Sequence, residues 1–191
     1  NGIILQHGTG ATVALTMTNA AGSSAEVGAI ASASSAAGAA VARASVSQAI
    51  DQTATGGSVA LSFTNDGTIT EDAIANAVAS AAATASAYMH GGGQFATGTT
   101  VSEGITNGGV YNALATANAS GSVAHAAATV NYGLYQDATG GAVDLHTSNS
   151  GTMNLVASAN AIGATASAGA VVNRGFTPRQ SFRRKYIRFS A

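Results

Sequence analysis

The sequence predicts an all-β protein, a parallel β-solenoid (β-helix) of four repeats of about 42 residues. Three observations lead to this prediction. Two amide residues recur at a fixed spacing, apolar and small side chains alternate along the chain, and Asn- and Gly-rich turns separate the alternating stretches. A fixed period in this range marks a repeat architecture, in which each copy of one structural unit rests on its neighbour. The alternative fold is an antiparallel β-sandwich of long Ala-faced strands.

Glutamine and asparagine set the period. The glutamines of the series are 46, 42 and 42 residues apart, and an asparagine follows each of them thirteen residues later. Equivalent residues of a parallel stack lie about 4.8 Å apart, so these amides are expected to form ladders, each donating to one neighbour and accepting from the other. The ladder residues are Gln6, Gln52, Gln94 and Gln136, with Asn19, Asn65, Asn107 and Asn149.

A strand is predicted after each glutamine, because apolar residues alternate there with small or polar ones, the pattern of a half-buried strand. In the second repeat the apolar positions are Val59, Leu61 and Phe63. Glu103 stands where the other repeats have Leu. It is either a functional residue or the sign of a shifted alignment, and we expect the second.

A turn and a second alternating stretch follow each strand. The turn Asn65-Asp66-Gly67-Thr68 contains residue types that tolerate left-handed backbone angles. Alanine then occupies every odd position from Ala73 to Ala87. The residues between these alanines disfavour a helix, so a strand with one uniformly small face is expected. A repeat then forms either two coils of roughly 20 residues or one coil of its full length.

The chain divides into a repeat body, residues 1–173, and a basic aromatic tail, residues 174–191. The repeats lie near 1–46, 47–88, 89–130 and 131–173. All eight acidic residues precede residue 145, whereas six of the seven basic ones are in the tail. The tail either caps the last coil and docks on the acidic body of a neighbouring subunit, or is a solvated appendage or non-native junction. The candidate assembly residues are Arg179, Phe182, Arg183, Arg184, Lys185, Tyr186 and Phe189.

No catalytic, cofactor or metal site is predicted, and we do not expect an enzyme. The chain has no cysteine, and its histidines (His7, His90, His125 and His146) fall at different offsets from the glutamines. Asp66, Glu71 and Asp72 surround one turn and could hold a cation, but a solvated acidic turn is the favoured interpretation. No apolar run is long enough to span a membrane. A single short basic segment is poorly suited to bind nucleic acid. Neither a membrane span nor a nucleic-acid partner is therefore expected.

The segment from Ala49 to Ile69, with its Asn-x-Gly-Thr-Ile turn, resembles repetitive β-solenoid surface proteins of Gram-negative bacteria, of the filamentous-haemagglutinin and autotransporter passenger types. The likeness covers residues 1 to about 173. It implies an exported, elongated protein that acts in adhesion, biofilm or envelope structure. Residues 4–10 are more weakly similar to curli-type subunits.

These patterns predict an extracellular or cell-surface structural protein, a subunit or segment of a bacterial filament or adhesin. Its expected partner is itself, either as a homopolymer or as adjoining repeats of a longer chain, through coil-on-coil stacking of strand edges. Removal of residues 175–191 is expected to change assembly more than fold. The alternative is an adhesive module whose Ser/Thr/Asn face binds surface glycans or ice. Ice binding needs regular threonine ranks, and Thr16, Thr64 and Thr147 are too uneven for that.

Overall fold

A computed structural model describes the backbone of residues 4–182 and the side chains of residues 4–175. This part of the chain consists of strands and turns, without a helix. The strands are β1 (Ile4–Asn19), β2 (Ser24–Ser35), β3 (Ala39–Ser47), β4 (Ile50–Asn65), β5 (Thr68–Ala79), β6 (Ala82–His90), β7 (Gly93–Asn107), β8 (Val110–Ser120), β9 (Val123–Asn149), β10 (Thr152–Ile162) and β11 (Thr165–Phe182).

The described strands pair in parallel throughout. One sheet has the order β1-β4-β7-β9-β6-β3, with β11 also paired to β9, and the other has the order β10-β8-β5-β2. The prediction of an all-β, parallel-sheet protein is confirmed, and the antiparallel sandwich is not the arrangement that forms. Long strand β9 belongs to two parts of the first sheet, because its first half pairs with β6 and its second half with β7.

The pairing register follows the amide period. β4 pairs with β7, β5 with β8 and β6 with β9, so a strand meets its equivalent one full period away rather than half a period away. Glu103 pairs with Leu61 on one side and with Leu145 on the other. The expected alignment shift at Glu103 is therefore wrong, and the acidic residue truly stands in a leucine column.

The main core lies between the two sheets and is built from alanine. Buried and half-buried residues alternate along β5 and β8, with Ala73, Ala75 and Ala115 fully buried. Such small side chains let the facing sheets approach closely while still excluding water. Larger side chains, such as Phe63 and Tyr111, complete the same buried cluster.

A second buried cluster lies inside a bend of the strands that carry glutamine. The side chain of Gln52 donates to the backbone oxygen of Ser62, ten residues further along β4, at 3.1 Å. A straight strand would separate these residues by about 33 Å, so β4 must fold back on itself. We call the enclosed residues the arch cluster; they are Val13, Ala54, Val59, Leu61, Ala96, Val101 and Ala138.

Glycine is required near the apex of this bend. A Cβ atom on Gly56 would collide with the backbone oxygen of Gly10 in the neighbouring strand, and one on Gly140 would lie 2.8 Å from the oxygen of Gly98. The four glycines face one another in register. Because the obstacle is backbone rather than a movable side chain, a larger residue would push the stacked strands apart.

Candidate functional site

The four glutamines form a continuous hydrogen-bonded ladder inside the bend. The Nε2 atom of Gln52 donates to Oε1 of Gln6 at 2.7 Å, Gln94 donates to Gln52 at 2.7 Å, and Gln136 donates to Gln94 at 2.9 Å. Each Nε2 also donates to a backbone oxygen ten residues further along its own strand. Every donation between glutamines therefore points toward the N-terminal end of the stack.

The four asparagines form a second ladder at the turns. The Nδ2 atom of Asn19 donates to Oδ1 of Asn65 at 2.7 Å, Asn65 donates to Asn107 at 2.6 Å, and Asn107 donates to Asn149 at 2.7 Å. The second hydrogen of each donor is taken by the backbone oxygen of Thr68, Val110 or Thr152, where the next strand begins. This ladder runs in the opposite direction, toward the C-terminal end. The predicted stacked amides are thus present.

The two ladders end in complementary groups. At the N-terminal end, the described residues offer no partner to the second Nε2 hydrogen of Gln6 or to Oδ1 of Asn19. At the other end, Oε1 of Gln136 is fully buried and has no hydrogen-bond partner among the described residues. The side chain of Asn149 accepts from Asn107, and its own Nδ2 donates to nothing in the same range. The N-terminal end thus offers a glutamine donor and an asparagine acceptor, and the C-terminal end offers a glutamine acceptor and an asparagine donor.

Backbone edges accompany these ladder ends. Within residues 4–182, β1, β2 and β3 are each paired on one side only, as are β10 and β11. Residues 143–149 of β9 pair with β7 and with no other described strand. Unpaired parallel edges expose rows of N–H and C=O groups, which makes them templates for another strand.

The last part of β11 covers a section of the C-terminal edge. Pro178 stands opposite Gln136 and Phe182 stands opposite Gly140, both in parallel register. The rung that follows Gln136 is thus occupied by a residue type without an amide to donate. This explains why Oε1 of Gln136 is unpaired although a strand lies beside it. Strand β11 runs without a break across residues 173 and 174.

Only part of the predicted assembly tail can be placed. The backbones of Arg179 and Phe182 lie in β11, opposite Asp137 and Gly140. Arg183, Arg184, Lys185, Tyr186 and Phe189 lie outside the described residues.

Two buried glutamates lie outside the ladders. Glu71 and Glu103 are 0% and 1% exposed, and the carboxyl oxygens of both have no hydrogen-bond partner among the described residues. Burial raises the pKa of Glu71 to about 8, against a smaller lowering by the neighbouring Tyr111 hydroxyl, whose hydrogen is donated to the backbone oxygen of Gly133 rather than to the carboxyl. Burial also raises the pKa of Glu103 to about 8, and the charge of Asp137 adds to this. Both carboxyls therefore carry their protons at neutral pH.

The acidic residues at the predicted turn do not act as a group. Glu71 points into the core, next to Tyr111, whose hydroxyl donates to the backbone oxygen of Gly133 at 3.0 Å. Asp72 is half-buried on the other face of the strand, where burial and the charge of Glu26 raise its pKa. The interpretation as a solvated turn is therefore wrong for Glu71. Within the described residues, no three His, Cys, Asp or Glu side chains are grouped as metal ligands.

A shallow groove with a threonine rank lies on the outer face of the bend. Thr9, Thr55, Thr97 and Thr139 stand in register, one per repeat, three residues after each glutamine. The groove has a volume of about 200 Å³ and is lined by the last three of these threonines together with Phe95 and Asp137. This rank was not predicted from the sequence, although the constant offset of its threonines from the glutamines was a sufficient signal.

Comparison of the chain with protein-family models, curated proteins and solved structures gives no match. Among the described residues, no helix is long and apolar enough to cross a membrane.

Proposed function

We propose that the chain is an extracellular structural protein, a subunit or segment of a bacterial surface filament or adhesin. It is a β-solenoid of four repeats that assembles when the end coil of one unit stacks on the end coil of the next. The bacterial cell-surface setting is supported by the resemblance of residues 1 to about 173 to repetitive surface proteins. The stacking is supported by the geometry of the outermost described strands, which are paired on one side only.

The observation that carries the proposal is the buried, unpaired Oε1 of Gln136 at the end of the glutamine ladder. Leaving a buried acceptor unsatisfied costs about 1–3 kcal/mol. Within the ladder, the same atom of Gln52 and of Gln94 accepts a hydrogen bond from the next rung. A further coil with an amide at this position would satisfy Gln136 and pair the neighbouring edges.

Negative-stain electron microscopy and sedimentation of the purified chain test this function. The full chain and a variant without residues 175–191 are compared at neutral pH over a range of concentrations. We expect unbranched filaments whose width matches one coil, and a larger difference between the variants in filament length than in circular dichroism. Isolated short particles from both proteins at all concentrations would refute assembly by stacking.

A second candidate function is adhesion through the outer groove. The regular rank of Thr9, Thr55, Thr97 and Thr139 offers hydroxyls at the strand spacing, and Phe95 beside Asp137 adds an apolar ring and a carboxylate. An aromatic ring with a few placed polar groups is suited to a sugar. Glycan screening of the parent and of Phe95→Ala tests it, with binding expected for the parent alone. An absence of binding by the parent would exclude this candidate for the glycans tested.

A further inference from the structure

We propose that assembly is head to tail, with Gln136 of one copy accepting a hydrogen bond from Gln6 of the next. Residues 176–182 are then a displaceable cap on the edge of β9 that contains Gln136, an edge that we call the seat. This inference rests on the proposed stacking function. It names the partner as a second copy of this chain, the partner segment as residues 4–10, and the competing segment as part of β11.

The direction follows from the opposite polarity of the ladders. The C-terminal end presents an acceptor at Gln136 and a donor at Asn149, whereas the N-terminal end presents a donor at Gln6 and an acceptor at Asn19. The spacing between glutamine and asparagine is thirteen residues at both ends. Both pairs can therefore form at once when unlike ends meet. Contact between two like ends would run the meeting strands antiparallel, so the parallel register that stacks Gln on Gln and Asn on Asn could not continue across it.

The register shows that the incoming strand and the cap compete for one place. Residues 176–182 pair with residues 134–140 of β9. If Gln6 of a second copy takes the rung beyond Gln136, its residues 4–10 lie along the same stretch of β9. The two segments cannot pair with this edge together, because each parallel edge accepts one strand.

The residue types at two restrictive rungs favour the incoming strand. At the glutamine rung the cap has Pro178, whereas the second copy offers Gln6. At the glycine rung opposite Gly140 the cap has Phe182, whereas the second copy offers Gly10. Gly10 already faces Gly56 in this crowded column, in which an added Cβ collides with backbone. The incoming strand thus carries the residue types of both rungs, and residues 176–182 carry neither.

The cap is tested by changing its strength in opposite directions. Removal of residues 176–191 exposes the seat and is expected to lower the critical concentration for assembly, since an incoming strand then displaces no paired segment. Pro178→Gln supplies the missing donor and is expected to raise the critical concentration about tenfold above that of Pro178→Leu, the value of one buried amide hydrogen bond. The leucine variant is the matched control, because it also restores the backbone N–H but carries no amide.

The head-to-tail joint is tested in the shortened chain with one end disabled at a time. Gln6→Leu removes the donor at one end, and Gln136→Leu removes the acceptor at the other. At a concentration only a few times above the critical concentration of the shortened chain, we expect each variant alone to remain a monomer in analytical ultracentrifugation and a 1:1 mixture to stop at dimers, since only one intact joint can form. Gln52→Leu breaks the ladder internally and leaves both ends intact, so it should lower stability and still assemble.

The outcomes separate this inference from the function on which it rests. If neither the full nor the shortened chain assembles at any concentration, the stacking function fails and the inference fails with it. If both assemble with the same critical concentration, and Pro178→Gln equals Pro178→Leu, the cap is refuted while stacking stands. If Gln6→Leu and Gln136→Leu each polymerise as well as the parent, the ladder-directed joint is refuted.

Discussion

Two kinds of polar side chain lie inside this protein, and they differ in how they are satisfied. Gln52 and Asn65, both fully buried, bond to the rung above, to the rung below and to the backbone. Glu71 and Glu103 are as deeply buried, and within the described residues their carboxyl oxygens have no hydrogen-bond partner. An amide carries both donors and an acceptor, so copies of it satisfy one another in a parallel stack. A carboxyl in a column of apolar residues has no such copy.

The cost of the unpaired carboxyls depends on pH. In the unfolded chain each glutamate has an ordinary pKa of 4.5, whereas burial raises the pKa in the folded protein to about 8. Between these values the unfolded chain releases protons that the folded protein retains. As pH rises from 4.5 to 8, the free energy of unfolding therefore falls by about 1.4 kcal/mol per pH unit for each carboxyl. Above pH 8 it levels off.

The largest predicted effect is a loss of stability between pH 5 and pH 7. For two carboxyls over two pH units it amounts to about 5 kcal/mol, measured as the change in free energy of unfolding by urea. The double variant Glu71→Leu with Glu103→Leu removes both groups and should be more stable than the parent at pH 7. Its stability should change far less with pH.

Other shifted groups remain in this double variant and serve as the baseline. Burial lowers the pKa of His90, so His90 favours the folded state less as pH falls below 6.5, and the raised pKa of Asp72 acts in the same direction as the glutamates. The difference between parent and double variant isolates Glu71 and Glu103. Equal pH slopes in the two proteins would show that these carboxyls are ionised or solvated in the folded state.

The contrast between buried amides and buried carboxyls can be tested by replacing one amide of the asparagine ladder with a carboxyl. Asn65→Asp replaces the Nδ2 donor with an oxygen that faces Oδ1 of Asn107 and the backbone oxygen of Val110. We expect a loss of about 3 kcal/mol in the free energy of unfolding, since buried acceptors then face one another. The fall in stability with rising pH should also become steeper, because a third buried carboxyl is added.

The last rung of the same ladder supplies the control. Asn149→Asp keeps the oxygen that accepts from Asn107 and removes an Nδ2 that bonds to no described residue, at an exposed position. We expect a change below about 1 kcal/mol. A loss equal to that of Asn65→Asp would mean that the cost comes from charge at the turn rather than from the missing donor.

The sequence predicted the stacked parts of the fold better than the exceptions within them. The glutamine and asparagine period specified the register, because identical residues recur wherever identical environments do. The length of a coil stayed open, since half-period pairing would preserve the same alternation. Glu71 lies two residues from both Ile69 and Ala73, so the period of two alone places it inward. Its charge favoured a solvated position in the prediction. A buried carboxyl is tolerated there because burial favours its protonated, uncharged state.

The smallest predicted effect concerns amides that stack on the outside of the protein. The Nδ2 atom of Asn118 donates to Oδ1 of Asn76 at 2.9 Å, a bond as short as that between Gln136 and Gln94. Both partners are half-exposed, so water can replace either one when the other is removed. Asn118→Ala is therefore expected to lower the free energy of unfolding by less than about 1 kcal/mol in urea titrations. A loss as large as that of Asn65→Asp would show that stacking itself, and not burial, makes an amide rung valuable, and the contrast between the inner amides and the buried carboxyls would then need another explanation.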